Sequence, residues 1–156
     1  DLMAVFNLNN SHDVRIHSIS TDKIELDNHR IWFHQKLESH ENPFYIIETS
    51  ADDFIGQVRF DLQDSGQWLI SIAIDKNFRA KGIGTWTVTK ASRMAQIAHD
   101  FPVVAYVKKD NEISNRAFVK AGFTFTGEET IKGVLLDRFE LQSLSKRFCD
   151  PAVTTL

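Results

Sequence analysis

A glycine-rich segment in the middle of the chain has the residue types and spacing best suited to binding an anion. Arg79-Ala80-Lys81-Gly82-Ile83-Gly84 follows the apolar run Trp68–Ile74 and precedes a helical pattern that extends to Ala98. A turn from a strand into a helix leaves several backbone N–H groups without partners, and the helix dipole adds partial positive charge there. The two glycines remove side chains that would keep an anion away, and the arginine and lysine add formal charge. The segment therefore predicts a site for a phosphate or pyrophosphate.

Three phosphate-binding patterns compete for this segment. The P-loop pattern Gly-x-x-x-x-Gly-Lys-Ser/Thr does not occur in the chain, and Thr87 stands where a dinucleotide fingerprint requires its third glycine. The remaining pattern is Arg-x-x-Gly-x-Gly. Taken alone, that pattern also fits an ordinary turn between a strand and a helix.

A second informative segment follows the apolar run 101–107. Asn111 is a good helix N-cap, Gly122 is suited to end the helix in a left-handed conformation, and Phe123 begins another strand. Helical spacing predicts one buried face, made of Ile113, Ala117, Phe118 and Ala121.

In this order and at this separation, the two segments resemble the pyrophosphate loop and the second motif of the GCN5-related N-acetyltransferases, the GNAT family. The resemblance covers nearly the whole chain, from a helix at Asp27 to a last strand near Leu141. It implies an α/β (α+β) fold in which a central mixed, mostly antiparallel, twisted sheet is flanked by helices. We expect a single domain over residues 1–156. Family members usually have a strand before the first helix and this sequence shows none, so we expect a trimmed chain or a piece of a longer one.

The resemblance implies acetyl-CoA as the cofactor. Its pyrophosphate would lie on the backbone N–H groups of Lys81 through Thr85, and its pantetheine arm would bond to the strand at 72–74 like an added strand. A backbone N–H of that strand would stabilise the thioester oxygen as negative charge develops. The implied cofactor-binding residues are Ile72, Ala73, Ile74, Arg79, Ala80, Lys81, Gly82, Ile83, Gly84, Thr85, Asn111, Ser114 and Phe118.

In the implied reaction an amine attacks the acetyl carbon directly, which agrees with the lack of a suitable cysteine. Alkyl ammonium groups have a pKa near ~10, so a proton acceptor or a water relay is needed. The candidates are Asp61, Glu48 and His17. Phe118 stands where many family members have a tyrosine that protonates the departing thiolate. In this chain the proton for the thiolate would come from Tyr106, from another donor or from water, or the thiolate would leave unprotonated.

A period of two places Gln57, Arg59 and Asp61 on one face of a strand. If this face lines the acceptor cleft, the arginine binds an anionic group and the aspartate accepts the proton. Alternatively, these two side chains are surface residues or pair with each other. We also predict Arg15 and His17 as substrate contacts on this side of the molecule.

The acceptor is predicted to be a small-molecule amine, and its identity is left open. The segments Asn28–Leu37 and Gly56–Asp61 are similar to a bacterial subgroup that acetylates nucleotide-linked deoxyaminosugars. Arg15 and Arg59 would then contact the nucleotide phosphates. The alternatives are a protein N-terminal acetyltransferase, an enzyme for small amines such as polyamines, and a non-catalytic acetyl-CoA-binding domain.

Composition excludes several other classes of protein. The net charge of −3 provides no basic surface for nucleic acid, and no apolar run approaches the ~20 residues of a membrane span. The six histidines show no metal-ligand spacing, so we predict no metal. The single Cys149 fits a reducing compartment, and we predict a cytoplasmic protein. A homodimer is one assembly that the resemblance allows.

The remaining pattern predicts the order of the elements. A helix is expected at Leu2–Phe6, a polar loop at Asn9–Asp13, and a second helix from a cap at Asp27 or Asn28 to about Ser39. Further helices are predicted at 83–98 and 111–121, and strands at 43–48, 54–62, 68–74, 102–108, 123–128 and 134–141.

Overall fold

The computed structural model describes residues 1–39 and 41–148, and the six strands within them form one sheet. The strands are β1 (Phe44–Glu48), β2 (Phe54–Leu62), β3 (Trp68–Ile74), β4 (Val103–Lys108), β5 (Thr124–Ile131) and β6 (Val134–Leu141). Their order in the sheet is β1-β2-β3-β4-β6-β5. Neighbouring strands are antiparallel except β3 and β4, which run parallel. The predicted mixed, mostly antiparallel sheet is thus confirmed.

Helices cover both faces of this sheet. They are α1 (Leu2–Asn9), α2 (His12–His17), α3 (Leu26–Glu38), α4 (Ile83–Ala98), α5 (Glu112–Lys120) and α6 (Leu144–Phe148), with a short 3-10 helix at Lys76–Phe78. In the described part of the chain, no helix is both long enough and apolar enough to cross a membrane.

The main core lies between the sheet and the two helices α4 and α5. Alternate residues of the central strands point to this side, since strand side chains have a period of two. On α4, residues at helical spacing face them. The core includes Val58, Phe60, Trp68, Ile70, Val103, Ala105 and Val107 of the sheet, Val88, Ala91 and Ala95 of α4, and Phe118 of α5.

The opposite face of the sheet is covered by α1 and α3. The buried His29 of α3 donates from Nε2 to the carbonyl oxygen of Leu2 at 3.1 Å, and its ring lies 5.2 Å from that of Phe6. Burial lowers the pKa of His29, so the neutral imidazole is favoured in the folded chain. These contacts fix the two helices to each other over the polar face of β2.

Four predictions about the elements are wrong. The expected loop at Asn9–Asp13 is helical at both ends, because Asn9 completes α1 and α2 begins at His12. The helix α3 begins at Leu26 rather than after Asp27, which lies in the first turn and pairs with Arg30. An acidic side chain is favourable there because it faces the positive end of the helix dipole.

The third error concerns the helix α5. Ile113 was predicted on its buried face but is 65% exposed, whereas Phe118 is buried and Ala121 packs partly against the core. The predicted caps are confirmed: the side chain of Asn111 accepts a bond from the N–H of Ser114, and Gly122 has φ of 92°. β5 is also longer than predicted and extends to Ile131.

Gly56 permits an unusually close approach of β2 to β3. It lies opposite Ile74, and a Cβ atom at this position would come within 2.3 Å of the carbonyl oxygen of Ala73. We expect Gly56→Ala to lower the free energy of unfolding by about 1–3 kcal/mol, because the two backbones must separate. Chemical denaturation measures this loss. Gly84→Ala is the control, since a Cβ there meets nothing within 4 Å, and equal stabilities of the two variants would contradict the steric argument.

Candidate active site

The parallel strands β3 and β4 separate soon after they begin. Two residue pairs join them, Trp68 with Val103 and Leu69 with Val104, and in the described structure the pairing ends there. The rest of β3 remains paired with β2 as far as Gly56 and Ile74. A gap therefore opens between the carboxyl-terminal halves of β3 and β4.

The direction of the peptide groups along β3 shows which residues face this gap. The N–H of Trp68 donates to Pro102, on the β4 side, whereas the N–H of Asp75 donates to Ile55, on the β2 side. Because the direction alternates along a strand, Ile72 and Ile74 present their peptide groups to the gap. Ala73 presents its peptide groups to β2 instead, and its contact with the cofactor stays a prediction.

The glycine-rich segment lies at the open end of the gap. Ala80 and Gly82 both have positive φ, 61° and 78°, and α4 begins immediately afterwards at Ile83. The first N–H groups of a helix have no partners within the helix and point toward its amino-terminal end. A Cβ atom on Gly82 or Gly84 would meet nothing within 4 Å, so the space above these N–H groups is open. The loop can therefore hold a pyrophosphate.

The cationic side chains of the loop hold its own backbone. Arg79 donates from Nε to the carbonyl oxygen of Ile74 at 2.8 Å and from Nη1 to the carboxylate of Asp13 at 3.4 Å. Lys81 donates to the carbonyl oxygen of Asn77 at 3.2 Å and lies over the ring of Phe78. The anion-binding capacity of the loop thus comes first from its backbone, and direct contacts of these two cations with a phosphate stay predictions.

The helix α2 bridges the two walls of the gap. Asp13 binds Arg79, which follows β3, and the carbonyl oxygen of Ile16 accepts a bond from Lys108 of β4 at 2.8 Å. Nothing in the local sequence predicted these contacts, since the partners are 66 and 92 residues apart. They hold α2 in place, and the first two residues of this helix were expected to belong to the loop Asn9–Asp13.

The second predicted motif lies at the same edge of the sheet, because parallel strands have their carboxyl ends together. Asn111 caps α5 just after β4, and Ser114 in its first turn is half-buried. Phe118 lies on the buried face of α5, as predicted. It is 4% exposed, and its ring centroid lies 5.1 Å from that of Phe123, so it is a core residue. Its contact with the cofactor stays a prediction.

The polar residues of β2 lie on the face covered by α1 and α3. Gln57 donates to Asn9 of α1 at 3.5 Å, and the guanidinium of Arg59 lies 5.3 Å from the ring centroid of Trp32 in α3. Asp61 contacts both Lys36 of α3 and Nε of Arg59, the second at 3.3 Å. The predicted shared face is thus present, and the alternative that Arg59 and Asp61 pair is also observed. The sequence reasoning missed Lys36, whose position on α3 gives no signal of this partner.

Arg15 and His17 lie on α2, and Arg15 is near Arg59 of this face. Burial lowers the pKa of the Arg15 guanidinium, and the nearby Arg59 lowers it further, whereas Asp22 raises it. Nε of Arg15, Nδ1 of His17 and Oε1 of Gln57 are buried without hydrogen-bond partners among the described residues. Buried polar atoms are normally satisfied, so these three are candidates for contacts with a bound molecule.

Two other proposed proton-transfer groups, Tyr106 and Glu48, are directed away from the gap or lie at the edge of the sheet. The hydroxyl of Tyr106 on β4 donates to Glu129 of β5 at 2.9 Å, which directs it across β6 and away from β3. Burial and this carboxylate raise the pKa of Tyr106. Glu48 is exposed at the end of the edge strand β1. Cys149 and His40 lie outside the described residues, and within these no group of three or more potential metal ligands occurs.

A gap between two parallel strands, with a glycine-rich anion loop at its open end, defines a protein that binds an extended, pyrophosphate-bearing cofactor. Residues 1–124 match the family model described as an acetyltransferase (GNAT) domain. The chain therefore belongs to the GNAT acetyltransferase family. It is an acetyl-CoA-dependent N-acetyltransferase, and the open space above Gly82 and Gly84 fits the pyrophosphate of acetyl-CoA.

Solved structures share this fold at low sequence identity. The spermidine N-acetyltransferase from Vibrio cholerae in complex with CoA and spermine is 16% identical, covers 90% of this chain and 87% of its own, and superposes with a TM-score of 0.77. The aminoglycoside acetyltransferase AAC(6')-Ib in complex with coenzyme A is 15% identical, with coverages of 96% and 93% and a TM-score of 0.79. An N-acetyltransferase from Staphylococcus aureus Mu50 is 22% identical, with coverages of 91% and 94% and a TM-score of 0.76. No curated protein is significantly similar to this chain in sequence.

Proposed function

We propose that this enzyme acetylates the primary amine of a small molecule by direct attack, and that the amine enters over the face of β2 covered by α1–α3. The observation that carries this proposal is the gap between β3 and β4, next to a set of half-buried polar side chains. Spermine and aminoglycosides, named with the structural neighbours, are also small amines. The bridge of α2 across the gap narrows access, which favours a small acceptor over a peptide.

In the proposed reaction, acetyl-CoA supplies the acetyl group as a thioester. The peptide N–H groups of Ile72 and Ile74 face the gap and would stabilise the oxyanion that develops as the amine attacks. A C–N bond forms, the C–S bond breaks, and CoA leaves as a thiolate that takes a proton from water or a nearby donor. The ammonium proton of the acceptor must pass to a base, either a side chain or water.

For the acceptor we propose a nucleotide-linked aminosugar. The two segments that carry this resemblance, Asn28–Leu37 and Gly56–Asp61, form parts of α3 and β2, which contact each other through Trp32 with Arg59 and Lys36 with Asp61. Both segments thus contribute to one polar face. Small amines such as polyamines are the alternative, and a chain that binds acetyl-CoA without transferring its acetyl group is the non-catalytic alternative.

The test is calorimetry with acetyl-CoA, followed by detection of released CoA with a thiol reagent. The amines are a 4-amino-4,6-dideoxy nucleotide sugar, an N-terminal peptide and spermidine. Micromolar binding of acetyl-CoA, with release of CoA when the nucleotide sugar is added, supports the full proposal. Release of CoA with spermidine alone would mean that the acceptor is a polyamine and not a nucleotide-linked aminosugar. Binding without release on any amine would support the non-catalytic alternative, and no binding would remove the proposal.

Asp61 is the carboxylate on the polar face, and we expect it to act as the proton acceptor. Asp61→Asn should lower kcat at neutral pH by about 100-fold, since general bases contribute at least that much, with a smaller loss at high pH where the amine is already neutral. The pH dependence of kcat measures this effect. Asp64→Asn, in the exposed turn after β2, is the control. If kcat falls by the same factor at all pH values, Asp61 acts through its ion pairs with Lys36 and Arg59 and not as the proton acceptor.

A further inference from the structure

An excess of positive charge lies on the face of the sheet covered by α1–α3. Lys36 and Arg59 share one carboxylate, that of Asp61. Arg15 is close enough to Arg59 for the two like charges to disfavour each other. Its Nη atoms donate to the carbonyl oxygen of Asp22 at 3.0 Å and to the hydroxyl of Ser18 at 2.8 Å, and both acceptors are neutral. Lys36 and Arg59 thus share the carboxylate of Asp61, and Arg15 has the charge of Asp22 near it, so that three cations on this face are matched by two carboxylates.

Arg15 also has one hydrogen-bond donor that lacks a partner in the described structure. Its Nε is buried and has no hydrogen-bond partner among residues 1–39 and 41–148. A guanidinium binds an oxyanion best through two parallel hydrogen bonds. An unused buried donor on a cation near a second cation is destabilising by itself, and an incoming anion would remove both the unmet bond and the repulsion.

This cluster lies beside the gap between β3 and β4. Arg59 is directly opposite Ser71 of β3, and Ser71 is followed by Ile72, whose peptide groups face the gap. On α2, Arg15 stands between Asp13 and Ile16, the residues that attach this helix to the two walls of the gap. A small molecule bound to Arg15 and Arg59 would therefore reach the place where acetyl transfer is proposed.

We propose that the acceptor amine carries an anionic oxygen group, such as a carboxylate, phosphonate or phosphate, which Arg15 and Arg59 bind, and that polycationic amines are rejected. The inference rests on the proposed function, because it concerns the second substrate of the same site. The selection against polycations follows from the excess positive charge, which repels any acceptor with additional ammonium groups. The anion belongs either to a small amino acid or to a nucleotide diphosphate.

Matched pairs of acceptors test the proposal. The first pair is 2-aminoethylphosphonate with ethanolamine, the second is β-alanine with β-alaninamide, and the third is the nucleotide-linked aminosugar with the free aminosugar. Spermidine represents the polycations. We expect kcat/KM to be at least about tenfold higher for the anionic member of a pair, equivalent to about 1.4 kcal/mol. A preference within the first two pairs shows that the acceptor is a small amino acid. A preference within the third pair shows that the anion is a nucleotide diphosphate.

Variants at Arg15 test whether the preference for anionic acceptors depends on the charged cluster of Arg15, Lys36, Arg59 and Asp61. Arg15→Met should lower kcat/KM for the anionic member of a pair at least about tenfold more than for the neutral member, and Arg15→Lys should restore part of the preference. Arg59→Met should act in the same direction. Arg30→Met, at an exposed arginine of α3 that pairs with Asp27, is the control. Equal loss on both members of a pair, or a preference for spermidine in the unmodified enzyme, would overturn the proposal.

A failure of the proposed function gives a different result. In that case acetyl-CoA binds and no amine releases CoA, and the anion site is then measured by calorimetry with the same anionic amines on the acetyl-CoA-loaded protein. Binding that Arg15→Met weakens by tenfold or more would support the anion site without catalysis. No binding of any anionic amine would overturn it. Unchanged acetyl-CoA affinity in each variant shows that the variant is folded.

Discussion

Gly84→Glu should abolish acetyl-CoA binding while leaving the fold intact. The new carboxylate would occupy the open space above the first turn of α4, where the pyrophosphate is expected, and its charge would repel the ligand. An acidic residue at the start of a helix is otherwise favourable, so stability should be equal or slightly higher. We expect the affinity measured by calorimetry to fall by more than about 100-fold, equivalent to about 2.7 kcal/mol.

Gly82→Glu should have the same effect on binding and has a closely matched control. Gly82 and Gly133 both have φ of 78°, and a Cβ on either meets nothing within 4 Å. Gly133→Glu, in the turn between β5 and β6, therefore introduces the same charge and the same backbone strain away from the gap. Acetyl-CoA affinity that is similar in both variants would show that the glycine-rich segment is only a turn.

Trp68→Ala should produce the largest loss of stability. Trp68 is fully buried at the point where β3 and β4 are still paired, and its Nε1 donates to the carbonyl oxygen of His99 at 3.3 Å. Its ring also packs against Phe60 and Phe101. Removal of a large buried aromatic side chain should lower the free energy of unfolding by about 3–5 kcal/mol, a large part of a typical total of about 5–15 kcal/mol.

Urea denaturation followed by far-ultraviolet circular dichroism measures this loss without depending on tryptophan fluorescence. Trp86→Ala is the control, because Trp86 in the first turn of α4 is 58% exposed and its removal should change stability by less than about 0.5 kcal/mol. Similar losses in the two variants would contradict the position of Trp68 in the core.

The elements that could be predicted are those whose pattern lies within consecutive residues. The strands at Phe54–Leu62 and Trp68–Ile74 and the helix at Ile83–Ala98 were predicted at their observed bounds, because turn residues flank them and their apolar residues are regularly spaced. The glycine-rich segment was recognisable for the same reason, since its spacing is a property of consecutive residues.

The parts that could not be predicted depend on contacts between distant residues. No residue of α2 is buried as a whole, and two contacts attach it to distant parts of the chain, those of Asp13 with Arg79 and of Ile16 with Lys108. Lys36 and Asp61 are 25 residues apart and meet because α3 crosses β2. Phe118 was predicted on the buried face of α5 from helical spacing, and its ring does pack in the core against Phe123. The sequence gives the residue types, whereas only the packing shows which way each side chain points.

The two residue pairs that join β3 to β4 make this sheet resemble two half-sheets that meet at a seam. Beyond Leu69 and Val104, the N–H groups of Ile72 and Ile74 face this seam with no strand partner in the described structure, and the pantetheine arm of acetyl-CoA is suited to bond there. A ligand that binds only the folded chain stabilises it by mass action, by about 2.7 kcal/mol at a concentration of 100 Kd. The melting temperature of a purified sample therefore reports, in part, how much coenzyme it has retained, and preparations of the same chain will differ until they are saturated or stripped.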